Sequence, residues 1–245
     1  MKTTRFFIAA LLLMASFFVV GCGKESNESD VTPSDSIPNN TENPTSAPIS
    51  NDYWVDLGLP SGLLWATCNV GATQPEDYGD YFAWGETQPK RTYTWGNYKY
   101  YRSDDNGDGF TKYCPKSSYG YNGYHDNLFT LQSSDDAAAA NVPGSRMPTR
   151  AEWEELGENC TWKWITLNGV NGMCVTGPSG KSLFLPAAGN RLGDETDGVG
   201  YDGYYWSSSL NEDYPRLAWY LDFYSDGRSM HYYNRTYGFS VRPVR

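Results

Sequence analysis

Hydrophobic and polar positions follow three successive rhythms along this chain. Residues 6–20 are almost wholly apolar and carry no charge. Residues 23–51 are polar, with Ser, Asn, Thr, Pro, Glu and Asp dominating. From Tyr53 onward, short apolar segments are punctuated by turn residues, which predicts many short strands. Residues 53–57 and 63–68 flank the turn Gly58-Leu59-Pro60-Ser61-Gly62, so a hairpin opens the folded part. Residues 81–84 form a brief apolar segment, and residues 87–127 read as ordered loop.

Two helices follow. Asp135-Asp136 precedes a run of alanines, placing carboxylates at the positive end of a short helix stopped by Pro143-Gly144. Thr149-Arg150-Ala151-Glu152 has the capping-box pattern, and Trp153 and Leu156 share one face of the helix it starts. Beyond Cys160 the pattern predicts strands over residues 162–167, 173–176, 181–186, 204–209, 218–224, 229–233 and 239–244. Two short helices among several short, mostly antiparallel strands and long ordered loops make an α+β fold.

The first segment has a chemical reading. Lys2 and Arg5 precede the apolar run, which ends in Val19-Val20-Gly21-Cys22. Charge, length and position fit a signal peptide over residues 1–21. Its end resembles the bacterial lipobox, which implies that Cys22 becomes a lipid-bearing N-terminus partnered with the membrane. Residues 22–52 are then a lipidated cysteine and flexible linker, a coil reaching roughly 30 Å. Residues 53–245 form one domain. Lys24-Glu25 resembles the charged export signals of Bacteroidetes surface lipoproteins. The expected location is the cell envelope, as an outer membrane lipoprotein, with surface and periplasmic exposure both open.

A formal net charge of −10 disfavours nucleic acid as a partner. Cys68, Cys114, Cys160 and Cys174 remain once Cys22 is assigned. They permit two disulfides in any of three pairings, and equally four buried thiols.

Several motifs in order resemble the Fibrobacter succinogenes major paralogous domain, over about Tyr53 to Arg245. They are Val55-Asp56-Leu57-Gly58-Leu59-Pro60-Ser61-Gly62, Trp65-Ala66-Thr67-Cys68-Asn69-Val70-Gly71-Ala72 and Gly79-Asp80-Tyr81-Phe82-Ala83-Trp84-Gly85-Glu86 near the start. Arg146-Met147-Pro148-Thr149-Arg150-Ala151-Glu152-Trp153 stands at the centre. Tyr205-Trp206-Ser207-Ser208-Ser209 and Gly238-Phe239-Ser240-Val241-Arg242-Pro243-Val244 stand at the end. The resemblance implies a C-type-lectin-like fold related to the formylglycine-generating enzymes. Those enzymes hold copper with a cysteine pair near the C-terminus. Here the last cysteine is Cys174, so that activity is not carried over.

No nucleophile or metal motif surrounds His125 or His231, and the expectation is a protein that is not an enzyme. Asp104, Asn106 and Asp108 reproduce the first half of an EF-hand loop, a candidate Ca²⁺ site. Position twelve is Pro115 rather than glutamate, which favours a plain turn.

Aromatic residues make up 16% of the chain, with 20 Tyr, and they crowd between Tyr201 and Tyr237. Trp219, Leu221 and Phe223 alternate with Tyr220, Asp222 and Tyr224, predicting one buried face and one displayed face. The displayed set is expected to comprise Tyr214, Arg216, Tyr220, Asp222, Tyr224, Arg228, His231, Tyr233, Asn234 and Arg235. Tyr supplies rigid amphipathic contact area and Asp, Asn and Ser supply adaptable hydrogen bonds. The expected function is a ligand-binding or adhesion module for a glycan or protein. The alternatives are a carbohydrate-active accessory protein or enzyme, a retroelement-diversified binding protein, and a structural envelope protein without ligand.

Overall fold

The computed structural model describes residues 53–245. Residues 1–52, with the signal peptide, Cys22 and the linker, lie outside the described residues. The opening hairpin forms as expected. Strands β1 (Trp54–Asp56) and β2 (Leu64–Ala66) pair antiparallel, with Val55 opposite Trp65. Its turn is held by Asp56, whose carboxylate accepts from Gly58 N at 2.8 Å.

Residues 87–127 contain more regular structure than their composition predicts. Strands β3 (Tyr101–Asp104) and β4 (Gly107–Phe110) form a hairpin, flanked by single 3-10 turns. Helix α1 (Ala137–Asn141) is capped by Asp136, which accepts from Ala138 N at 2.8 Å and Ala139 N at 3.1 Å. Helix α2 (Arg150–Asn159) begins with the expected capping box. Thr149 Oγ1 accepts from Glu152 N at 3.3 Å, and Glu152 Oε2 accepts from Thr149 N at 2.7 Å. Trp153 and Leu156 are buried, so the apolar face packs inward.

Strands β5 (Thr161–Leu167), β6 (Val170–Thr176) and β7 (Ser182–Pro186) form one antiparallel sheet. A small hairpin follows, β8 (Asn190–Leu192) with β9 (Glu195–Asp197). Strands β10 (Gly203–Leu210), β11 (Leu217–Tyr224) and β12 (Gly227–Asn234) form the second three-stranded sheet. Predominantly antiparallel strands with two short helices make the fold α+β. Among the described residues no helix is long and apolar enough to cross a membrane.

The second sheet divides the core. Along β10 and β11, alternate side chains enter opposite apolar clusters, as the two-residue period of a strand requires. Trp206 and Tyr220 join Phe82, Trp84, Tyr98 and Phe239 on one side. Tyr205, Leu221 and Phe223 join Trp65, Trp153 and Leu183 on the other. Covering both faces corrects the expectation of one buried and one displayed face. Tyr220 is 7% exposed, while Trp219, expected inside, is half-buried beneath Arg150, 3.7 Å from its ring.

The last segment also departs from expectation. Residues 239–244 form no continuous strand. They make separate bridges, Phe239 with Phe82, Ser240 with Tyr205 and Val244 with both Trp65 and Arg146. Pro243 has no N–H to extend a ladder, and the segment must serve several partners in turn. Its Arg242 is fully buried and donates to Asn69 Oδ1 at 3.0 Å, Ala66 O at 2.9 Å and Phe184 O at 2.9 Å. The chain end is thereby tied to the opening hairpin and to β7.

Candidate functional site

Beside the second sheet lies a cavity of about 430 Å³, within the size range of small-molecule sites. Its wall is built by strand register. Tyr204 stands opposite Asp222, and Tyr220 opposite His231, all on the face away from α2. Tyr233 follows two residues after His231 and shares that face. Tyr237 and Phe239 complete the wall just after β12.

The rings form a continuous curved surface. Tyr204 stacks on Phe239 at 5.3 Å between centroids, and Tyr220 meets Phe239 at 4.8 Å. Tyr233 and Tyr237 meet edge to face at 4.6 Å. Such pairs fix the rings beyond simple burial. The opposite wall is the β8–β9 hairpin, through Asn190, Leu192, Glu195, Thr196 and Asp197. Backbone bonds between Arg191 and Gly238, at 2.8 and 2.9 Å, dock that hairpin against the sheet. Gly238 is required there, because a Cβ would stand 2.7 Å from the Tyr93 ring.

The site is electronegative. Burial pushes the Tyr204 hydroxyl up to about 12, helped by the carboxylates of Asp202, Asp222 and Asp197. Burial likewise raises Asp222, with Asp202 adding repulsion and His231 partly offsetting both. Burial raises Asp202, and Asp197 adds to it. The phenols therefore remain protonated donors at neutral pH, facing a cluster of carboxylates.

The structure gathers four of the expected binding residues on one face, Tyr220, Asp222, His231 and Tyr233, of which Tyr220 and Tyr233 line the cavity. Tyr224 has the same strand parity but stands 48% exposed at the end of β11. Arg228 is on the opposite face, 4.9 Å from the Trp162 ring and bonded to Gly157 O. Tyr214 and Arg216 lie beyond the start of β11, with Arg216 5.6 Å from the Trp95 ring. Asn234 and Thr236 line an adjoining cavity, which shares Leu192, Glu195 and Tyr237 with the first.

Arg235 requires correction. It is 0% exposed and cannot meet a ligand at the surface. Its guanidinium lies 3.9 Å from the Phe110 ring and 5.5 Å from both Trp84 and Tyr98, and it donates to Tyr113 O at 3.2 Å. Stacking on rings suits the weakly hydrated guanidinium to such a place.

The calcium expectation also meets a different geometry. Asp104 pairs with Gly107, and Asp108 with Ser103, so the pleat sends the two carboxylates to opposite faces. Asp104 accepts from Tyr121, Arg102 and Asn106 N, while Asp108 accepts from Tyr101. Asn106 lies in the connecting turn. Among the described residues no three His, Cys, Asp or Glu side chains converge as a metal site. Cys68, Cys114, Cys160 and Cys174 are all free thiols.

Sequence reasoning missed Tyr204, Tyr237, Phe239 and the whole β8–β9 wall. Tyr204 and Tyr205 are adjacent and identical, and nothing local says which one lines a cavity. Residues 190–197 carry no motif.

A family described as a domain of unknown function, DUF8237, matches residues 177–244. That stretch holds every residue lining the cavity. No curated protein and no solved structure matches the chain.

Proposed function

We propose that this chain is an envelope-anchored ligand-binding module whose site is the tyrosine-walled cavity between β8–β9 and the β10–β11–β12 sheet. The observation that carries the reading is the cavity itself. Five aromatic rings form its wall, with carboxylates at its edge and solvent access past the exposed Tyr233 and Glu195. Rigid aromatic area with a few convergent polar groups is the usual make-up of a recognition site. The reading assigns no catalysis. Cys22 carries the lipid that tethers the domain to the outer membrane, and residues 53–245 adopt a C-type-lectin-like fold. The ordered motifs from Val55 to Val244 support that fold assignment.

The full-length chain, probed on glycan and peptide arrays, should give signals that Tyr233→Ala weakens at least tenfold without lowering Tm. Signals unchanged by Tyr233→Ala, or no signal at all, would overturn the assignment. The anchor is read separately: Cys22→Ser should abolish incorporation of labelled palmitate.

A further inference from the structure

The ring-walled cavity is also where unpaired negative charge accumulates. Glu195 and Asp197 stand on β9 and line the cavity, while Asp222, paired with Tyr204 across β10 and β11, stands behind its lining. Asp202 lies just before β10 and interacts with both Asp197 and Asp222. None of these four carboxylates is in an ion pair among the described residues. No Lys or Arg lines the cavity. Arg191 is near in sequence, but its guanidinium is 5.6 Å from Tyr93 and bonded to Asp194 O and Arg91 O. His231 beside Asp222 is the one basic side chain on this face.

Two features then bear on the occupant. The ring quadrupoles attract a cation that comes within about 6 Å of their centroids. Centroids of the Tyr220, Tyr204 and Tyr237 rings lie 4.8, 5.3 and 5.9 Å from that of Phe239, so one small group in the cavity reaches several rings at once. The carboxylates focus negative potential into the same partly enclosed space. A neutral polyol would use the rings but leave that charge uncompensated. An anion would be repelled.

Building on the reading of this cavity as the ligand site, we propose that it selects an organic cation bearing an alkylated ammonium group. The aromatic wall of Tyr204, Tyr220, Tyr237 and Phe239 takes the alkylated head. Glu195 and Asp197 supply the compensating charge, and Tyr233 stands at the open side.

The test compares choline with 3,3-dimethyl-1-butanol, its neutral isostere, by calorimetric titration of the full-length chain. Choline should bind at least about tenfold more tightly than the isostere. Its affinity should fall with added salt. Asp197→Asn and Glu195→Gln should weaken choline and leave the isostere unchanged, with Tm recorded to confirm folding. Equal binding of the two probes, lost together in Tyr233→Ala, would overturn selection for a cation while keeping the cavity as the ligand site. Absence of binding by both probes would overturn this inference, and a silent array as well would overturn the site assignment itself.

Discussion

Arg242 Nε donates to Asn69 Oδ1 at 3.0 Å, joining residues 173 positions apart. The same guanidinium reaches carbonyls of β2 and β7. Both ends of the domain therefore close through one buried cation, whose charge is met by carbonyl and amide oxygens. Arg242→Met keeps much of the volume but leaves three buried acceptors without this donor. The expected loss is about 3 kcal/mol of stability, read by urea unfolding. A change under about 0.5 kcal/mol would mean that the acceptors find other donors.

Asp135 anchors the loop that precedes α1. Its buried carboxylate accepts from Lys112 at 2.5 Å, Tyr113 at 2.7 Å and Lys99 at 3.0 Å, and from Tyr100. Asp135→Asn removes the charge that the lysines face and should cost about 3 kcal/mol. The same fall in unfolding free energy should be seen by calorimetry and by urea.

The pH dependence follows from the same group. Burial alone would raise the Asp135 carboxyl, but the bonds from Lys112, Tyr100, Tyr113 and Lys99 override it and hold it well below its ordinary value of 3.8. A depressed folded pKa means that its contribution is present above 3.8 and is lost as pH falls through the folded value. Stability of the parent chain should therefore drop in acid more steeply than that of Asp135→Asn. Parallel curves would show that other carboxylates carry the acid response. Asp222 acts with the opposite sign. Its raised folded pKa favours the neutral form, so its contribution is lost as pH rises through that value.

Gly203 permits the close pairing of β10 with β11, where it stands opposite Phe223. A Cβ there would stand 2.1 Å from the ring of Phe223, which is itself buried. Gly203→Ala should cost about 1–3 kcal/mol through overpacking. Phe223→Leu should restore part of that loss in the double variant, although alone it weakens the core. Simple additivity in the cycle would place the cost elsewhere than in this contact.

Cys160 is the described thiol with partial exposure, and burial pushes it up to about 11, with Arg228 partly opposing. The thiolate is the reactive form. Iodoacetamide should label Cys160 slowly at neutral pH and faster as pH approaches 11, while Cys68, Cys114 and Cys174 stay protected until unfolding. Mass mapping of the labelled peptides reads the order.

Local features were legible in the sequence because a few neighbouring residues determine them. The turn at residues 58–62 predicted the β1–β2 hairpin, and Thr149 with Glu152 predicted the start of α2. Strand periodicity located β5, β6, β7, β10, β11 and β12 within a few residues. The tertiary structure decided which faces are covered. Tyr220 looked like display because its neighbours alternate, yet Phe239 arrives from a distant segment and, with Trp206 and Tyr204 of the neighbouring strand, buries it. A tyrosine suits either place, since its ring tolerates burial while its hydroxyl needs a partner. Asp104, Asn106 and Asp108 looked like a cation loop. The pairing of Asp104 with Gly107 made them a hairpin instead, and the pleat separated the carboxylates. Arg235 carried a surface residue's signature until its ring-lined site was assembled from residues 84, 98 and 110. Propensity, capping and period act over a few residues and can be read along the chain. A cavity is a relation between β8–β9, β10, β11 and residues 237–239, and only folding brings those segments to one place.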